Sequence, residues 1–419
     1  METRTIYEEL MRRTDGAILL GVTGPTRTGK STFVKRFMET LVLPNIEDAY
    51  RAERARDELP QCGSGRTIMT SEPKFVPEEA VEIRPDDGTR LSVRLIDSVG
   101  YMIPGAVGAE EDGQPRMVTT PWFDHEIPMT EAAELGTKKV MEDHCTVGVV
   151  VTTDGTITDI PREDYVDAER RAIEDMRATG KPFVVLLNST DPYAAAAQTM
   201  RDELAQTYGA NVIATDCRAM DETEIRRILS GILSEFPVTE LRFFLPDWVA
   251  ALPWEHPIKS ALLTAMRDCA EKVSRISETS SIGELLRTDA LQTCDVDDVD
   301  LGSGRVDCTL RFPEALFYKT LSEQSGFPIG SDGDLLELLS SLAGVKQTYD
   351  AVAAAMAEVN ETGYGIVTPA PSQVKLEAPQ IIRKNGACAI KLKASAPSIH
   401  MTRTKQRFDV AIKRRACIV

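Results

Sequence analysis

Residues 24–32 read Gly-Pro-Thr-Arg-Thr-Gly-Lys-Ser-Thr, a G-x-x-x-x-G-K-S spacing whose chemistry is the grip of a polyphosphate. Gly24 and Gly29 let the backbone bend so that its N–H groups point at phosphate oxygens, with Thr28 and Thr32 completing the cradle. Lys30 brings a positive charge to the β- and γ-phosphates, and Ser31 offers a hydroxyl to Mg²⁺. Such a loop needs a strand before it and a helix after it. Ala17–Val22 is an apolar run that reads as a buried strand, and Thr32–Leu41 carries apolar residues at helical spacing. A chance match in an ordinary turn would not place all three in order.

A second candidate lies further on. Leu91, Val93 and Leu95 alternate with polar residues and lead into Asp97-Ser98-Val99-Gly100, a strand ending in D-x-x-G. Asp97 then holds Mg²⁺ and the Gly100 N–H meets the γ-phosphate; the ordinary alternative is a plain strand-end turn. Between the two motifs, residues 65–73 include Thr67, Thr70 and Ser71, any of which could supply a switch hydroxyl that closes on the metal. Tyr101 stands where many GTPases have the Gln that orients water, so Arg27, inside the loop, is a candidate arginine finger in cis as well as a candidate solvated cation.

The remaining landmarks are altered. Thr146–Thr152 reads as a core strand, followed by a helix over about 162–179 and a strand at Phe183–Leu187. That strand ends in Asn188-Ser189-Thr190-Asp191, where GTPases carry N-K-x-D. Asp191 keeps the acceptor for guanine N–H donors, but Ser189 lacks the aliphatic stem that packs over the base. Asn188 and Asp191 are therefore read both as base-binding residues and as a capped loop ahead of Pro192.

These features resemble the stage IV sporulation protein A family, the ATPases of the spore-coat basement layer in endospore-forming bacteria. The resemblance runs through Arg27–Phe33, Val42–Ile46, Asp57–Gln61, Thr67–Thr70, Glu72–Pro77, Thr152–Thr156 and Glu235–Val238. Later it includes Gln347–Asp350, Thr362–Ile366 and Ala396–Met401. It implies an α/β P-loop NTPase domain, GTPase-like and TRAFAC-type, that uses ATP and Mg²⁺. Lys30 and Ser31 would then bind phosphates and metal, Asp97 would be the second metal-site residue, and Thr70 and Ser71 the sensing hydroxyls. It further implies a static homopolymer on the mother-cell side of the outer forespore membrane. A small amphipathic membrane-anchoring peptide and spore coat proteins would be its partners. The family pattern continues past Met401 into a C-terminal domain. Here residues 402–419 are instead basic, which reads as a truncated or frameshifted end or as a short disordered tail.

The 419 residues suffice for two or three domains, and 42% hydrophobic with 27% charged residues is an ordinary globular balance. A net charge of −17 disfavours nonspecific binding to nucleic acid or anionic lipid, so membrane association would need an adaptor. No apolar run is long enough for a transmembrane segment. The eight cysteines are single and fit reduced thiols in a cytoplasmic protein, and the four histidines are dispersed.

Up to residue 239 strands and helices alternate, which predicts a mainly parallel sheet. Residues 240–401 read as an α+β middle domain without a catalytic motif. Its expected elements are a helix over 257–276, a strand over 306–312, a helix over 334–360 interrupted at Gly344, and strand pairing over 386–394. Leu335, Leu338, Leu339 and Leu342 form a stripe read as core, and Gly105–Pro128 is a long insertion read as a switch or assembly loop. Three function classes compete: an assembling ATPase, a GTPase-type switch, and a nucleotide-binding scaffold without turnover.

Overall fold

The apolar run ahead of the glycine-rich loop forms the central strand of a six-stranded sheet in the computed structural model of the chain. The structure describes residues 4–60, 73–85, 89–104, 110–111, 114–119, 125–384 and 387–406. They fall into two compact units, Met1–Pro313 and Glu314–Val419.

The first unit begins with α1 (Ile6–Arg13), whose start is fixed by a capping box. Glu8 N–H donates to Thr5 Oγ1, and Thr5 N–H donates back to Glu8 Oε2. Then come β1 (Ala17–Thr23), α2 (Lys30–Phe37), β2 (Lys74–Ile83), β3 (Leu91–Asp97) and α3 (Met129–His144). After them follow β4 (Val147–Thr153), α4 (Val166–Ala178), β5 (Phe183–Asn188), α5 (Ala195–Tyr208), β6 (Val212–Thr215) and α6 (Glu222–Ser234). The sheet order is β6-β5-β4-β1-β3-β2, parallel except for the antiparallel edge strand β2. β4 and β5 are buried along their whole length, which is why they read as unbroken β-branched and aliphatic runs. Helices cover both faces. Phe33, Phe37, Ile228 and Ile232 pack on one side, and Tyr165, Ile173 and Met176 on the other.

The helix expected over 32–41 begins at Lys30, at the loop itself, and runs on past Phe37 as a π-helical turn, Met38–Val42. A second sheet in this unit contains β7 (Glu240–Phe244), β8 (Thr293–Asp300) and β9 (Arg305–Arg311) in the order β7-β9-β8, with α7 (Pro257–Lys272) beside it. Its small core includes Val249, Leu262, Cys269, Val306 and Leu310. Asp300, at the end of β8, ties this sheet to α1 through Arg12 at 2.7 Å and to Arg4, ahead of that helix, at 3.1 Å.

The second unit contains α8 (Glu314–Ser325), α9 (Asp332–Thr362), β10 (Tyr364–Val367), a hairpin of β11 (Gln380–Lys384) and β12 (Ala387–Lys391), and β13 (Ile399–Thr402), which pairs with β10. Two expectations are corrected here. α9 is continuous through Gly344, because one glycine weakens a 31-residue helix without breaking it. The leucine stripe is not core: Leu335 and Leu338 are half-buried, Leu339 is 55% exposed and Leu342 39% exposed. Helical spacing records an apolar face and does not say whether the same chain covers it.

Candidate phosphate-binding site

The glycine-rich loop joins β1 to α2 at the carboxyl edge of the sheet, between parallel neighbours β3 and β4. Ligands of open α/β sheets bind at such an edge. Three of its residues have left-handed backbone angles: Gly24 at φ +131°, Arg27 at +65° and Gly29 at +96°. A non-glycine in that region is strained, and strain of this kind collects where backbone N–H groups form an anion nest. Gly29 is also the N-cap of α2 and has no side chain to cap the first turn. The helix start is thus open to an anion.

Lys30 is 6% exposed, and its ammonium donates to the carbonyls of Pro25 at 2.7 Å and Gly24 at 3.2 Å. Burial lowers its pKa to about 8, against the pull of the Asp97 charge; Arg27 lowers it further. Ser31 Oγ donates to Asp97 Oδ2 at 2.6 Å. Burial pushes the Asp97 carboxyl above its ordinary range, while Ser31 and Lys30 hold it down. The other oxygen, Asp97 Oδ1, is buried with no hydrogen-bond partner among the described residues. A hydroxyl and a carboxylate in contact, with one acceptor oxygen left over, suit a hard divalent cation that keeps waters and phosphate oxygens as its other ligands. No group of three or more His, Cys, Asp or Glu suited to a metal occurs among the described residues.

Thr28 is buried and its hydroxyl closes the loop on the Pro25 carbonyl at 2.9 Å. Thr32 sits in the first turn of α2. Arg27 is half-buried, and its charge acts on Lys30 and Tyr165. Gly100 follows β3 at φ +89° and lies against the loop.

Two family profiles cover nearly the whole chain. Residues 1–237 match the ATPase domain of stage IV sporulation protein A, and residues 238–411 match its middle domain. The chain belongs to the stage IV sporulation protein A family. It is 43% identical to stage IV sporulation protein A of Clostridioides difficile (strain 630) over 97% of this chain and 83% of that relative. It is 42% identical to the Bacillus subtilis (strain 168) protein over 98% of this chain and 84% of the relative, and 42% identical to the Bacillus anthracis protein over 96% and 82%. The loop, strand and helix described above therefore lie in a sporulation-protein ATPase domain, a P-loop NTPase-like fold with a mainly parallel sheet.

Within that domain the sequence-derived residues are not all alike. Lys30, Ser31 and Asp97 come together in one cluster, Lys30 and Asp97 buried and Ser31 half-buried. Thr67, Thr70 and Ser71 lie outside the described residues, as does half of 105–128. Asn188 faces the protein rather than open space. Its Nδ2 donates to Thr28 O at 2.9 Å, and its Oδ1 accepts the Cys217 N–H at 3.1 Å. It braces the phosphate loop against the segment after β6. Ser189 is buried, and its hydroxyl accepts the Asp191 N–H. Asp191 is exposed at the end of β5. The Tyr101 hydroxyl donates to Asp175, on α4, at 2.7 Å.

The sequence held no signal for Thr137 and Asp175, which α3 and α4 bring beneath residues 100–101. The brace yields a prediction. Asn188→Ala leaves the Thr28 carbonyl and Cys217 N–H without these buried partners, so the loop loosens. Nucleotide affinity should fall about tenfold, as read by calorimetric titration, from a loss of roughly 1–3 kcal/mol.

Proposed function

We propose that this chain hydrolyses ATP with Mg²⁺ and that hydrolysis drives its self-assembly during spore formation. The observation that carries the reading is the Ser31–Asp97 contact beside buried Lys30, with Asp97 Oδ1 left as an acceptor. In this reading the loop amides from Gly24 to Thr32 hold the phosphates, Lys30 neutralises charge developing on the γ-phosphate, and Ser31 and Asp97 hold the metal. When bound, Mg²⁺ withdraws charge from the phosphate oxygens. Thr70 and Ser71 would sense the terminal phosphate, and Arg27 would add positive charge in cis. Asp191, at the mouth of the site, would contact the base. The two-arm test is phosphate release with ATP and with GTP, each with Mg²⁺ and with a chelator. Turnover that is faster with ATP and lost on chelation supports the reading. Equal rates with and without chelator overturn the metal assignment, and a strong preference for GTP would instead favour a GTPase switch.

The product of turnover, in this proposal, is a homopolymer lying at the cytoplasmic mother-cell surface of the outer forespore membrane, with coat proteins above it. Among the described residues no helix is long and apolar enough to cross a membrane, and the net charge of −17 repels anionic lipid. A small amphipathic membrane peptide would therefore make the attachment. The second unit offers a surface for a second copy. Leu336 is 66% exposed and Leu339 55%, neighbours on one side of α9. Apolar exposure on this scale marks contact surfaces. The double variant Leu336→Asp with Leu339→Asp should keep hydrolysis while ATP-dependent sedimentation drops severalfold. Sedimentation equal to wild type would remove α9 from the assembly surface.

A further inference from the structure

Gly100 carries the N–H that the nucleotide reading aims at the terminal phosphate, yet here that N–H donates to Thr137 Oγ1 at 3.1 Å. Thr137 lies on α3 and is fully buried. The neighbouring residues are fastened on both sides. Tyr101 N–H donates to Gly24 O at 3.1 Å, and Thr26 N–H donates to Tyr101 O at 2.7 Å, so the segment runs alongside the phosphate loop. On the other side the Tyr101 hydroxyl donates to Asp175 Oδ2 at 2.7 Å, and Lys138 holds the same carboxylate at 3.2 Å. Arg171 donates to the Met102 carbonyl at 3.4 Å. Gly100 itself rests on the loop. A Cβ there would fall 2.2 Å from the Gly24 carbonyl and 2.5 Å from Lys30 Nζ.

One amide hydrogen cannot serve both Thr137 and a phosphate oxygen at full strength. A diphosphate leaves the Thr137 bond in place, whereas a triphosphate must take the amide over. We infer that Thr137 is a positioning residue that holds the Gly100 amide in the arrangement seen here and yields it to the terminal phosphate. Thr137 thereby sets how strongly the site prefers triphosphate to diphosphate. Tyr101 and Asp175 form a second tie on the same segment, so α3 and α4 both bias the switch. The inference rests on the proposed ATP-hydrolysing function.

Removing the hydroxyl raises the free energy of the arrangement that the free and diphosphate-bound protein share and not that of the triphosphate-bound one, because the amide loses its partner only in the former. Thr137→Val should therefore bind a non-hydrolysable ATP analogue with Mg²⁺ about 3- to 10-fold more tightly than wild type, with ADP affinity unchanged. Thr137→Ser keeps the hydroxyl and should restore the wild-type ratio. Tyr101→Phe loosens the second tie and should shift the ratio in the same direction by a smaller factor, which decides the matter if Thr137→Val does not fold. An analogue-to-ADP affinity ratio in Thr137→Val equal to wild type, or unchanged in Tyr101→Phe where only that variant folds, overturns the inference. Failure of the wild type to bind either nucleotide would instead sink the phosphate-site reading beneath it, so the two failures are distinguishable.

Discussion

Lys30→Ala should lower ATP turnover by about a thousandfold while leaving the melting temperature within a few degrees of wild type. The two halves of this expectation have different causes. Lys30 is 6% exposed, and among the described residues its ammonium is hydrogen-bonded only to backbone carbonyls of the same loop. A charge fixed in a dry site acts strongly on charge that develops in phosphoryl transfer, since little reorganisation is needed. The fold, by contrast, gains little from it. Burying an ammonium is unfavourable, as the pKa lowered to about 8 shows, and the Gly24 carbonyl keeps a second donor in the Tyr101 N–H. Lys30→Arg should not rescue turnover, because a planar guanidinium needs more room than the loop and Gly100 leave. Phosphate release measured on the three proteins checks this. Equal turnover in wild type and Lys30→Ala would leave a binding scaffold as the surviving reading.

The phosphate loop was legible because its requirements are local. A strand, two glycines at a fixed spacing, a lysine, a hydroxyl and a helix start follow one another along fifteen or so residues, and each has its own residue-type signature. Asp97 was legible for the same reason, as the end of an alternating apolar strand. The contacts that only the folded chain creates were not. Thr137 lies thirty-seven residues from Gly100, on a helix whose sequence has no marker for that role. Asn188 was legible as a residue of interest, but its two bonds to Thr28 and Cys217 depend on β5, β6 and the loop meeting in space. The α9 leucines show the opposite limit. Their spacing fixes an apolar face correctly, yet exposure depends on what surrounds the helix, and periodicity carries no such information. Gly344 likewise signals a break only where helical neighbours are weak, and the run from Asp332 to Thr362 is rich in Leu, Ala and Glu.

Glu169 is the residue least visible in the sequence and the one whose loss should most damage the first unit. It lies on α4 among exposed polar neighbours, but its own side chain is 1% exposed. Arg162 donates to both carboxylate oxygens at 2.8 Å, Tyr208 donates from α5 at 3.0 Å, and the Thr152 hydroxyl donates from β4. One carboxylate thus joins β4, the turn before α4, α4 itself and α5. Glu169→Ala leaves the Arg162 guanidinium, 18% exposed, without its counter-charge and leaves two hydroxyls without their acceptor. Breaking such a pair from one side costs about 3–5 kcal/mol, which corresponds to a fall in melting temperature of roughly 6–15 °C for a unit of this size. Replacing both charges behaves differently. With Arg162→Leu and Glu169→Leu together no uncompensated charge remains, and the apolar side chains fill the space, so the double variant should melt above Glu169→Ala. Differential scanning calorimetry of the single and double variants separates the two effects. If the double variant melts below the single one, the unpaired Arg162 charge is not what destabilises Glu169→Ala. If Glu169→Ala melts with wild type, the four-element brace contributes nothing to stability.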